Sequence, residues 1–139
     1  MSEIKSYKDL IVWQKSIEMV TDVYKLINLL PKNEEYALAS QMRRCAVSIP
    51  SNIAEGTGRY YLKDYVRFLQ ISRGSVYELQ TQIIIAQNLG YISDLELTNC
   101  INSKLNEVEK MLNKMISNFI NELSKEQNQT KNVNPSKNE

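Results

Sequence analysis

Six residues in the middle of the chain have the types and the spacing that chemistry needs. Arg44, Ser48, Asn52 and Glu55 recur at steps of three and four, and Ser75 and Glu78 follow on a later segment at the same step. Such steps gather side chains on one face of a helix. Two of these faces, turned toward each other across a link at Gly56 and Gly58, would bring carboxylates, hydroxyls, an amide and a guanidinium together. Facing carboxylates can hold a divalent metal, as in some all-helical hydrolases. That chemistry needs more ligands than the chain offers. There is no histidine, hence no Glu-x-x-His step, and no further acidic pair is placed to point inward from the flanking segments. The expectation is a structural polar network of Arg44, Ser48, Asn52, Glu55, Ser75 and Glu78, with no catalytic residue, no metal and no cofactor. In it, Asn52 and Glu55 bond to Ser75, Arg44 or the backbone freed near Pro50 and the glycines. Buried polar groups require partners, and a network of this kind fixes helix register.

A second group is cationic. From Arg43 to Arg73 there are six basic residues (Arg43, Arg44, Arg59, Lys63, Arg67, Arg73) against Glu55 and Asp64, a local +4; the whole chain is +1, so the remainder is −3. Arg59, Lys63 and Arg67 recur at every fourth residue and read as one stripe starting at the turn, with Tyr60 and Tyr61 beside it. Cations attract phosphate and aromatic rings stack on unpaired bases, the footprint of nucleic-acid contact. Arg43, Arg59, Lys63, Arg67 and Arg73 are therefore the candidate nucleic-acid-binding residues. The plainer reading is a solvated helix face whose charge Asp64 and Glu78 partly pair.

The elements that position these groups follow from periodicity. From Lys8 to Leu30, Leu10, Trp13, Ile17, Val20, Tyr24 and Ile27 keep a three-four rhythm, with Val12, Met19, Val23, Leu26 and Leu30 as a second row beside it. About half of this helix is then apolar, wider than a monomeric bundle usually buries. A subunit interface and a thick core are the two readings. Ser6 with Asp9 has the form of a capping box. After a break at Leu30 to Asn33, with Asn33 as N-cap, a second helix buries Leu38, Met42, Cys45, Ile49 and Ile53. Pro50 removes a backbone donor, and because the rhythm continues through it a kink is expected. Gly56 and Gly58 are expected to end this helix in the left-handed geometry that glycine accepts. A third helix carries Leu62, Tyr65, Leu69, Ser72, Val76, Leu79, Ile83 and Ala86, all apolar but Ser72. Ser72, Gly74 and Ser75 place small residues where it should pass the second helix. Gly90 ends it. Ser93 with Glu96 reads as the next cap, and Ile101, Leu105, Val108, Leu112, Met115 and Phe119 line a fourth helix to Leu123. The polar residues after it cannot offset their ordering entropy. The prediction is an all-α, antiparallel, up-down-up-down, left-handed four-helix bundle over residues 1–123, with helices at 8–30, 34–57, 61–89 and 94–123, and a disordered tail over 124–139.

Other functional classes are set aside. No apolar run approaches the roughly 20 residues of a membrane span, and the run Ile83 to Ala86 reads as a core patch. Cys45 and Cys100 lack any CxxC spacing and the chain opens on a polar run rather than a signal peptide, so reduced thiols and a cytoplasmic location are expected.

Gln41 with Arg44, SIPSNIAEGTGR from Ser48 to Arg59, DYVRFLQISRGSVYELQTQI from Asp64 to Ile83, and GYI at Gly90 to Ile92 closely resemble the four-helix bundle family known from intervening sequences of bacterial 23S ribosomal RNA genes, also labelled the S23 ribosomal protein family. DLIVWQKSIEMVTDVYKL resembles that family's first helix, so the likeness covers Tyr7 to Phe119. It implies a left-handed bundle that assembles with itself into a ring, typically a pentamer, with RNA or DNA as partner through a basic surface. A more distant similarity to the accessory protein of diversity-generating retroelements implies the same. The alternative is a structural or protein-interaction module that binds no nucleic acid.

Overall fold

Seven-residue rows of apolar side chains decide the architecture, because each row must be covered by another helix. The computed structural model describes residues 6–133. Its helices are α1 (Ile11–Ile27), α2 (Leu38–Thr57), α3 (Leu62–Asn88) and α4 (Leu95–Val133), with 3-10 turns at Tyr7–Asp9 and Lys32–Glu34. Among the described residues there is no strand. α1 packs on α2 and α4, and α3 packs on the same two. Short connections make neighbours antiparallel, so the expected up-down-up-down bundle forms. One core unites all four helices through Met19, Val23 and Leu26 of α1, Met42, Ile49 and Ile53 of α2, Leu69, Val76, Leu79 and Ile83 of α3, and Ile101, Leu105, Val108 and Leu112 of α4. Truncating any of the larger ones to alanine costs about 2–5 kcal/mol. In α1 the row that goes inside is the second one; Ile17 and Tyr24 of the first stay exposed. In α4 it is Ile116 that is buried, with Met115 and Phe119 at the margin.

Several helix ends differ from expectation. Ser6 caps the first 3-10 turn, accepting from Lys8 N at 3.1 Å, and α1 begins only after the extended Leu10. Asn33 caps nothing; Glu34 Oε2 accepts the Leu38 amide at 3.1 Å, so α2 starts four residues later than expected. The other oxygen of Glu34 accepts from the Tyr91 hydroxyl at 3.1 Å, which raises the pKa of that phenol and ties the α3–α4 loop to the start of α2. Asp94, not Ser93, caps α4, accepting from Leu97 N at 3.0 Å. α4 also runs through residues 124–133, which corrects the disordered tail over that stretch. Lys125, Glu126, Gln127, Gln129 and Lys131 are good helix formers, and extending a helix already nucleated and packed costs little even without burial. Residues 134–139 lie outside the described residues.

The glycines divide by role. α2 continues unbroken through Pro50. Gly58 ends it with a right-handed φ of −83°, so the expected left-handed cap is absent there. Gly56 is buried inside the last turn, and a methyl group on it would sit 2.7 Å from Tyr65 Cδ2 and 3.0 Å from Phe68 Cβ. α2 and α3 can therefore meet closely only because position 56 has no side chain. Gly74 is exposed with nothing within 4 Å of such a methyl, so it plays no part in this approach. Gly90 is the glycine with a positive φ, 76°. There the Tyr91 amide reaches Ala86 O and the Gly90 amide reaches Gln87 O, both at 3.0 Å, a Schellman ending. In the run Ile83 to Ala86, only Ile83 and Ala86 are core; Ile84 and Ile85 are exposed.

Candidate functional site

The α2–α3 seam collects most of the polar residues singled out by spacing. Ser48 Oγ and Ser75 Oγ are 2.9 Å apart, and Asn52 Nδ2 donates to Ser48 O at 2.8 Å and to Ser48 Oγ at 2.9 Å. One turn away the Cys45 thiol donates to Glu78 Oε2 at 2.6 Å, with Gln82 Nε2 3.6 Å from the same sulfur. Burial first, and then the adjacent carboxylate, push the Cys45 pKa up to about 12. Deeper still, the buried Ser72 hydroxyl donates to Ile49 O at 2.9 Å. These bonds lock the two helices in register along the length that Gly56 lets approach.

Two predicted members stand outside the network. Glu55 is exposed and turns to Arg59 at 3.5 Å, one helical turn along its own segment. Arg44 is exposed and makes no side-chain hydrogen bond or ion pair among the described residues. Cys45, Ser72 and Gln82 take their place. Ser72 was the polar exception in an apolar row, and Gln82 lies seven residues from Ser75, on the same row. Gln82 Oε1 is buried with no hydrogen-bond partner among the described residues. Among the described residues, no group of three or more His, Cys, Asp or Glu side chains could hold a metal ion.

The five candidate cations are dispersed. Arg43 is drawn to Glu35 at 2.9 Å, at the start of α2, and Arg73 donates to Asn113 Oδ1 of α4 at 3.1 Å. Arg59 precedes α3, so the four-residue step does not carry it onto the face of Lys63. Its guanidinium lies 4.5 Å over the Phe68 ring. The stripe thus reduces to Lys63 and Arg67, exposed, one turn apart on α3, with no ion pair among the described residues. Beside them, in the link between helices, Tyr60 and Tyr61 are 91% and 65% exposed.

Two further surfaces flank α1. Toward α4, Lys15 meets Glu107 at 2.6 Å and Lys104 meets Asp22 at 2.6 Å, with Glu18 at 3.9 Å. The hydrogen bond to each carboxylate is the main cause that raises the pKa of Lys15 and of Lys104. Toward α2, a shallow groove is lined by Tyr7, Trp13, Ile17, Val20, Val47, Pro50, Ser51 and Ala54, with no charged group among the described residues that line it. At the end of the bundle where α2 stops, a cleft is lined by Ser6, Tyr7, Leu10, Thr57, Tyr65, Met115 and Phe119, and burial raises the pKa of the Tyr65 hydroxyl. Among the described residues that line it, none carries a carboxylate, imidazole or thiol.

Residues 8–114 match the model of the 23S rRNA-intervening sequence proteins. The chain belongs to that family. Within this 23S rRNA-intervening sequence protein, the matched region contains the whole α2–α3 seam and the Tyr60 link, and ends inside α4. A similar solved structure is a protein of unknown function from the S23 ribosomal protein family of Bacteroides thetaiotaomicron VPI-5482. It is 25% identical, superposes with a TM-score of 0.69, and the match covers 76% of this chain and 98% of that one. No curated protein matches. No helix among the described residues is long and apolar enough to cross a membrane.

Proposed function

We propose that this intervening-sequence protein is a non-enzymatic, self-associating bundle that carries RNA- or DNA-contacting groups at its α2–α3 link and works in the cytoplasm with both thiols reduced. The observation that carries the reading is the α1–α2 face. Ile17 and Val47 are 40% and 43% exposed there, beside half-buried Trp13, Val20 and Ala54, with no charge among the described residues that line the groove, and Tyr24, one turn on from Val20, is 41% exposed. Apolar surface gathered in this way favours a protein partner over water, and a second copy is the partner always at hand. A closed ring, expected as a pentamer from the family likeness, repeats the face and its neighbour around an axis.

Lys63 and Arg67 support the nucleic-acid part of the reading, being solvated cations with no internal task. One pair is weak; repetition around a ring multiplies the phosphates neutralised. Light scattering on the full chain tests assembly, with a mass several times the 16.1 kDa of one copy expected. A monomer overturns it. Retention of labelled RNA or duplex DNA at low and moderate salt tests the second part: changing Arg59, Lys63 and Arg67 to Glu should abolish it. Absence of binding at any salt, with assembly intact, leaves a protein-interaction module.

A further inference from the structure

We infer that the α2–α3 link is a stacking platform that selects unpaired bases, so that the nucleic acid held at this site is single-stranded. The inference rests on the nucleic-acid reading above and concerns what Tyr60 and Tyr61 add to it. Both rings stand in water although the bundle has apolar surface on which a tyrosine could lie. They meet edge to face, centroids 5.0 Å apart and planes at 83°, so one face of each ring is left open to a ligand. The backbone beneath them is held at both ends. Arg59 N bonds to Gly56 O at 3.1 Å behind Tyr60, and Tyr61 O accepts the amides of Asp64 and Tyr65 at 3.1 and 3.2 Å as the N-cap of α3. A platform already ordered loses little entropy when a base settles on it.

The charges around the platform argue for unpaired bases over duplex. Arg59 is neutralised by Glu55 and covered on one side by Phe68, and Asp64 lies in the first turn of α3. That leaves Lys63 and Arg67 to meet phosphates, too few for a tight grip on a duplex backbone. Stacking must then supply most of the affinity, and only unpaired bases expose their faces. For each bound copy the slope of log K against log salt is expected to be shallow, about −1.4 for two phosphates on a single strand.

The test is fluorescence anisotropy of labelled oligothymidylate and of a labelled duplex of equal length, titrated with the full chain, Tyr60→Ala, Tyr61→Ala and the Lys63→Glu/Arg67→Glu pair. Both tyrosines are exposed, so the alanine variants keep the fold, checked by circular dichroism. The expected result is preference for oligothymidylate and a roughly tenfold loss on it for each tyrosine removed, with the weak duplex binding unchanged. Equal binding of both probes, abolished by the Lys63 and Arg67 changes and untouched by the tyrosine changes, overturns stacking while leaving electrostatic contact in place. Failure to bind either probe at low salt, or binding indifferent to the tyrosines and to Lys63 and Arg67 alike, removes the reading of this link as a nucleic-acid site and this inference with it.

Discussion

Along its α4 side, α1 is bordered by Lys15 with Glu107 and by Lys104 with Asp22 and Glu18, whereas along its α2 side it shows water Trp13, Ile17, Val20 and Tyr24 beside Val47. Both flanks lie at the margin of the same core. Ion pairs of this kind contribute little to stability, about 0–1 kcal/mol each, but they make a surface that is comfortable in water and unattractive to a dry partner. The other flank has no such screen. From Lys15 onward this helix thus carries a side screened by ion pairs and an uncharged side that the proposed assembly would cover.

The comparison breaks most visibly if charge is placed on the uncharged flank. Ile17→Glu with Val47→Glu should reduce the assembly to single copies by light scattering, because a carboxylate buried without a partner costs about 3–5 kcal/mol. Lys15→Gln with Glu107→Gln on the opposite flank should leave the mass unchanged. An assembly that survives the glutamates, or falls apart with the glutamines, exchanges the two roles. The tight α2–α3 seam calibrates how a fully closed contact behaves. There Gly56→Ala should lower stability by about 1–3 kcal/mol in urea unfolding, since Tyr65 and Phe68 must move. Gly74→Ala, on the open side of α3, should be neutral or stabilising by up to about 1 kcal/mol. Asp22→Ala should cost about 1 kcal/mol, most of it lost in high salt.

Alkali sharpens the contrast. The lysines of the charged flank have raised pKa values, so their contribution is complete below the ordinary 10.5 and is lost as pH rises through the raised value. Cys45 acts in the same direction. Its thiol stays neutral in the fold up to about 12, while the unfolded thiol ionises near 9.0, so stability falls between those limits. Unfolding curves recorded across this range should flatten in Cys45→Ala. A stability that rises with pH there would contradict both assignments.

The helices were legible because a three-four rhythm records which side chains water must not touch, and that rhythm survived even Pro50. Ends were harder. Ser93 and Asp94 are both competent caps, and Asn33 and Glu34 both suit a helix start, so the choice belongs to tertiary geometry. Gly56 and Gly90 look alike in sequence, yet one supplies room and the other a left-handed φ; only the presence of α3 against α2 separates them. In the polar seam, Ser48, Asn52, Ser75 and Glu78 do meet at the contact of α2 with α3. Glu55 and Arg44 were not, since a spacing of three or four gives a face without saying where its margin lies. The basic stripe was overread for a related reason: a four-residue step aligns side chains only inside one helix, and α3 begins after Arg59.

Glu34 has one oxygen on the Leu38 amide and the other on the Tyr91 phenol. The two connections at that end of the molecule share a single clasp, so neither can loosen without releasing the other. Opening there is a joint event, and the amides that begin α2 and those around the α3–α4 turn should exchange with deuterium at matched rates, a linkage that alanine at position 34 would dissolve.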